Sequence, residues 1–111
     1  MLTYGTLKIG HYNHDRFDCK TIKKVEKLEG YRMYSLGSYP MIVKTNDKDD
    51  VIYDLEVIES PLEHDIITME EGAGYVKEIV KIDNEELILF IANERNAARL
   101  IYLLKPTIDK W

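Results

Sequence analysis

The sequence predicts an α+β fold, a small mixed β-barrel with flanking helices, and three observations lead to it. Strand-like runs follow one another from Thr21 to Ile58 with only turn residues between them, which excludes a regular βαβ alternation. Two segments, opening at Ser60 and Asn93, combine helical spacing with helix-start residues. Hydrophobic residues make up 45% of the chain and charged residues 32%, the balance of a folded protein and too apolar for a disordered one.

The 111 residues predict a single domain spanning 1–111, within the usual domain size of about 100 to 150 residues. The formal charge of -5 argues against a nucleic-acid partner, which needs clustered Lys and Arg to neutralise phosphates. The one basic run, KTIKKVEK, reads as the solvated side of a strand. A single cysteine, Cys19, leaves no partner for an internal disulfide and suits a reducing compartment. It reads as a spare thiol at the edge of an element. No apolar run approaches the ~18 residues of a membrane span, and the start of the chain lacks the pattern of a signal peptide. No membrane partner and a cytoplasmic location are therefore expected.

Along the chain, MLTYG is a short apolar run ended by Gly and reads as a first strand buried on both sides. The stretch through Phe17 is polar and irregular. From Thr21, Ile22, Val25, Leu28, Tyr31 and Met33 recur among charged residues, a long strand that Gly30 interrupts with a bulge or bend. SLGSYP is a turn, MIVK a strand, TNDKDD a polar turn and VIYDLEVI another strand. Ser60, Pro61 and Glu63 form the pattern of a capping box opening a helix, with Gly72 or Gly74 to stop it. YVKEIVKID and EELILFIA flank an Asp-Asn turn as a hairpin. NERNAARLIYLL has helical spacing, closed by Pro106.

Few residues point to chemistry by type alone. His11 and His14 stand three apart and His64 is distant, which fits no metal-binding spacing, and the first pair reads as solvated or capping. Ser35 and Ser38 lie outside any nucleophile elbow. Glu70 and Glu71 are more informative. At about 100° per residue, Leu62, Ile66, Ile67 and Met69 define the buried face of their helix, Glu70 lies at its edge and Glu71 points away. A carboxylate at the margin of a core loses hydration, which raises its pKa toward the range where it can transfer protons.

Three motifs in one order carry a resemblance to a known family. Tyr4-Gly5-Thr6-Leu7 matches a YGSL or YGTL loop. Gly30, Tyr31, Tyr34, Leu36, Gly37, Tyr39 and Pro40 match a GYxLYxLGxYP strand. MEEGAGY supplies the acid before the Tyr of the next strand, and Asn13-His14 matches a common Asn-His pair. Together they resemble the γ-glutamylcyclotransferase-like superfamily, with its γ-glutamylamine cyclotransferases and AIG2-like proteins.

The resemblance implies an enzyme that converts a small γ-glutamyl amine or peptide to 5-oxoproline and a free amine, without cofactor or metal, as a monomer or homodimer. It implies that the backbone of Tyr4, Gly5, Thr6 and Leu7 holds the substrate carboxylate, with Tyr39 lining the pocket. One Glu would move the proton, and helical phase selects Glu70 over Glu71. Ile67 stands where the family has an Asp, and Tyr53 where it often has a Gly, so a narrowed pocket is expected. The alternative is a binding module that keeps the pocket for a metabolite or protein without the reaction.

Overall fold

The computed structural model describes residues 1–103 and 107–111. Its elements run β1 (Leu2–Thr3), α1 (Tyr12–Arg16), β2 (Lys20–Glu29), β3 (Tyr31–Ser35), β4 (Pro40–Lys44), β5 (Val51–Glu59), α2 (Glu63–Gly72), β6 (Tyr75–Ile82), β7 (Glu85–Ala92), α3 (Glu94–Tyr102) and β8 (Thr107–Ile108). This is the mixed α+β architecture expected.

The strands form two sheets. One has five strands in the order β2-β5-β1-β7-β6, and the other has three, β4-β3-β8. β1 sits in the middle of the larger sheet, antiparallel to β5 with Leu2 opposite Val57, and parallel to β7 with Leu2 opposite Leu89. Both of its residues are buried, as a strand flanked on each side must be.

Among the described residues no ladder joins the two sheets, so the expected barrel is not seen closed. They pack through side chains instead: Tyr31, Met33 and Ile42 of the small sheet share a core with Leu2, Ile52, Leu55 and Leu89 of the large one. Burying these apolar faces against each other is the main stabilising term. β2, at the edge of the large sheet, shows mostly charged side chains to solvent, which discourages pairing with another chain.

Gly30 is the hinge between the sheets. Its φ of +91° is cheap only for glycine. Its N–H donates to the Asp50 carbonyl at 2.8 Å and its own carbonyl accepts from Thr45 and Asn46. What reads in sequence as one bent strand is therefore two strands in different sheets.

Other elements follow local chemistry. Asp83 and Asn84 both adopt positive φ, the geometry of a tight hairpin turn between β6 and β7. α3 is capped by Asn93, whose side chain accepts from the Asn96 N–H at 2.8 Å. The expected stop at Pro106 lies outside the described residues.

The capping box at Ser60 does not form. α2 starts at Glu63 after Leu62, which makes no side-chain cap, and Pro61 precedes the helix. The Ser60 hydroxyl instead donates to the Phe17 carbonyl at 2.5 Å and accepts from the Leu62 N–H at 2.9 Å, a turn that ties the entry of α2 to the end of α1. α2 then buries Ile66, with Leu62, Ile67 and Met69 packed at its margins, the face expected from the spacing.

Candidate active site

A small cavity, of about 30 Å³, opens where β1 leaves the large sheet. Its wall includes Tyr4, Gly5, Thr6 and Leu7, then Tyr39 and Pro40 from the entry of β4, and Glu70 and Tyr75 from the end of α2 and the start of β6. The expected site residues thus meet in one place, although they come from segments far apart in the chain. Glu71 is exposed, one residue further round the helix.

The YGTL segment is a turn held from outside. The Lys8 N–H closes it on the Gly5 carbonyl at 3.1 Å. The Asn13 side-chain amide donates to the Thr6 hydroxyl at 2.8 Å, and the His14 ring nitrogen Nδ1 lies 2.9 Å from the Leu7 carbonyl. Asn13 and His14 are both buried. His14 is therefore an anchor for the loop and not the solvated residue expected, while His11 lies at the start of α1 without a capping bond. Among the described residues, no three His, Cys, Asp or Glu side chains gather as a metal site.

Among the described residues, the N–H groups of Gly5, Thr6 and Leu7 have no intramolecular acceptor. Successive unpaired amides of a turn are the groups from which an anion nest is built, and such a nest needs no basic side chain. Gly5 also permits close packing: a Cβ there would lie 2.9 Å from Cγ of Pro40.

Glu70 is surrounded by aromatic wall. Burial pushes its carboxyl up to about 7, because the ionised form is poorly hydrated there. The hydroxyls of Tyr4 and Tyr75 donate to the carbonyls of Phe90 at 2.7 Å and Pro40 at 2.5 Å. Both phenols are raised above their ordinary value, by burial first and then by neighbouring groups that include Glu70, so they stay neutral donors. A carboxyl raised to about 7 can both take and give a proton near neutral pH.

Tyr53 does not narrow this cavity. It is exposed on β5, away from the Glu70 wall, and its N–H donates to the Asp109 carbonyl at 2.7 Å. The expectation from its bulk is corrected by its place on the outer side of the sheet. The C-terminal segment also lies elsewhere: β8 pairs with β3, and Trp111 packs on the core beneath the sheets.

Sequence reading missed two supports of the loop. Lys8 is buried, with its ammonium 2.9 Å from the Asp54 carboxylate and 3.1 Å from the Trp111 carbonyl. Glu56, also buried, accepts from the Ile9 N–H at 3.0 Å and the Thr21 hydroxyl at 2.8 Å. Tyr75 was legible only as the aromatic that opens a strand.

A family model described as gamma-glutamyl cyclotransferase, AIG2-like, matches residues 1–109. The chain belongs to this family. Solved structures share the fold of this family member. A uropathogenic E. coli-specific protein, c4763, is 20% identical with a TM-score of 0.71, over 97% of this chain and 85% of that one. The uncharacterized protein PH0828 from Pyrococcus horikoshii is 20% identical with a TM-score of 0.65, over 94% and 95% of the two chains. The protein ytfP from Escherichia coli is 17% identical with a TM-score of 0.64, over 99% and 91%. No curated protein matched the chain. Among the described residues, no helix is long and apolar enough to cross a membrane.

Proposed function

We propose that this family member is a cytoplasmic γ-glutamyl cyclotransferase, converting a small γ-glutamyl amine or peptide into 5-oxoproline and a free amine. The observation that carries the reading is the meeting, in one cavity, of a carboxyl raised to about 7 on Glu70 with the unpaired amides of Gly5, Thr6 and Leu7.

In this mechanism the amides hold the substrate α-carboxylate, which fixes the α-amino group relative to the γ-carbonyl. Glu70, ionised, takes a proton from the α-amino nitrogen as that nitrogen forms a bond to the γ-carbonyl carbon. The bond from that carbon to the departing nitrogen then breaks, and Glu70 returns the proton to the leaving amine. The reaction consumes no water and changes no oxidation state. One carboxyl with a pKa near the working pH serves both transfers, because it is neither too weak a base nor too weak an acid.

The test is release of 5-oxoproline from a panel of γ-glutamyl amines and dipeptides. Release that is lost in Glu70→Gln and kept in Glu71→Gln supports the reading. Thermal stabilisation by these compounds without any release supports the binding module instead, since a ligand of the folded state raises stability by mass action.

A further inference from the structure

The wall of the Glu70 cavity continues past Tyr39. The same Tyr39 lines a second cavity of about 240 Å³, which also includes Leu36, Met41, Leu100 and Arg99. Met41 follows Pro40 of the first cavity directly. Ala73, also in the second wall, donates its N–H to the Glu70 carbonyl at 3.1 Å, so it stands one helical turn beyond the proposed acid/base.

The chemistry of this second cavity is split in two. Leu36, Met41 and Leu100 supply an apolar surface, Leu100 and Met41 being buried parts of the core behind it. The side chain of Asn96 is engaged, donating to the Gly74 carbonyl at 3.1 Å. Arg99, exposed on α3, supplies positive charge, and among the described residues no carboxylate lies within ion-pairing distance of it. An apolar patch with a cation beside it fits a short alkyl chain that carries a carboxylate.

We propose that this cavity is the leaving-group subsite and takes an apolar amino acid or short peptide whose free carboxylate is bound by Arg99. The inference rests on the cyclotransferase reading. With the glutamyl half held at Gly5 to Leu7 and its γ-carbonyl at Glu70, the substituent on the departing nitrogen needs room beside Glu70, and the wall shared at Tyr39 offers it, with Ala73 of the second cavity three residues beyond Glu70. The alkyl part gains from leaving water against Leu36 and Met41. The guanidinium fork suits a carboxylate through two parallel hydrogen bonds. The preferred substrates are thus γ-glutamyl amino acids or peptides with an apolar first residue, in preference to γ-glutamyl amines without a leaving-side carboxylate.

Two compounds separate the idea from its alternatives: γ-glutamyl-leucine, and γ-glutamyl-isopentylamine, which differs only in lacking the leaving-side carboxylate. The wild-type protein should favour the first in kcat/KM, and Arg99→Ala should cut the ratio between the two by about tenfold, chiefly through KM. Arg99→Glu should cut it further, while Arg99→Ala keeps a melting temperature near that of the wild type, as expected for an exposed side chain. The same ratio of dissociation constants should appear by calorimetry in a Glu70→Gln background.

A ratio unchanged by Arg99→Ala, with 5-oxoproline still released, overturns the subsite and leaves the cyclotransferase reading intact. Binding that depends on Arg99 without release of 5-oxoproline from either compound overturns the reaction and keeps the carboxylate subsite. Neither binding nor release overturns both.

Discussion

The ammonium of Lys8, only 2% exposed, lies 2.9 Å from the carboxylate of Asp54, which is 51% exposed. This asymmetric pair joins the residue after the YGTL loop to β5, and Lys8 holds the Asp54 carboxyl below its ordinary range through their hydrogen bond. Asp54 has a φ of +61°, a left-handed conformation that Asn tolerates well. Asp54→Asn therefore removes charge without adding backbone strain. It should destabilise the protein by about 1 to 3 kcal/mol in denaturant unfolding, since a buried ammonium is left with a carbonyl and water. Because the Asp54 pKa is depressed, that contribution is present above the ordinary carboxylate pKa and fades as pH falls through the folded value. Lys8→Met should cost less, because water covers much of the carboxylate it abandons.

Gly5 serves by its lack of a side chain. A Cβ would stand 2.9 Å and 3.2 Å from two ring carbons of Pro40, and Pro40 is fixed in β4 with its carbonyl bonded to Tyr75. Gly5→Ala should cost about 1 to 3 kcal/mol of stability through this overpacking. It should also lower kcat/KM for 5-oxoproline release, because the loop must move away from Glu70 to make room.

Asn13 reaches the cavity only through Thr6. Its Nδ2 donates to Thr6 Oγ1 at 2.8 Å, which leaves the Thr6 hydroxyl proton free for another acceptor, while its own Oδ1 is buried without a partner among the described residues. Asn13→Ala should raise KM for a γ-glutamyl substrate and lower stability by about 1 to 2 kcal/mol, the range for a buried hydrogen bond. Measuring KM and kcat separately distinguishes loss of loop position from general unfolding.

Glu70 makes a prediction about stability opposite in sign to that for Asp54. Its folded pKa, about 7, is raised above the ordinary value of 4.5. The folded state thus holds its proton more tightly, a contribution fully present below the unfolded pKa and lost as pH rises through about 7. Replacing Glu70 by Gln removes the cost of an ionised buried carboxylate. Glu70→Gln should therefore melt higher than the wild type at pH 8, by an amount corresponding to about 3 kcal/mol, and close to it at pH 4.

The sequence made some of this legible because the deciding forces are local. The phase of α2 separates Glu70 from Glu71 with no further information, and Asp83-Asn84 specifies its turn by conformational preference alone. The remainder depends on contacts between distant residues. Ser60 has the right chemistry for a cap, but the Phe17 carbonyl captures its hydroxyl. α1 has five residues, too few for a helical period to show, and buries the polar Asn13 and His14. Lys8 looks solvated by type and is buried because Asp54 and the Trp111 carbonyl come to it from β5 and the end of the chain. Gly30 signals a break, but only the bonds to Asp50 and Thr45 determine that the chain changes sheets there.

The pH dependence of kcat/KM for 5-oxoproline release, in the wild type and in Glu70→Gln, tests the central claim most directly. The wild-type profile should fall below a limb near pH 7, where Glu70 gains the proton that stops it acting as a base. In Glu70→Gln that limb should vanish, and the rate should drop by about 10² to 10⁴. A Gln variant with wild-type activity and the same limb would contradict the role assigned to Glu70.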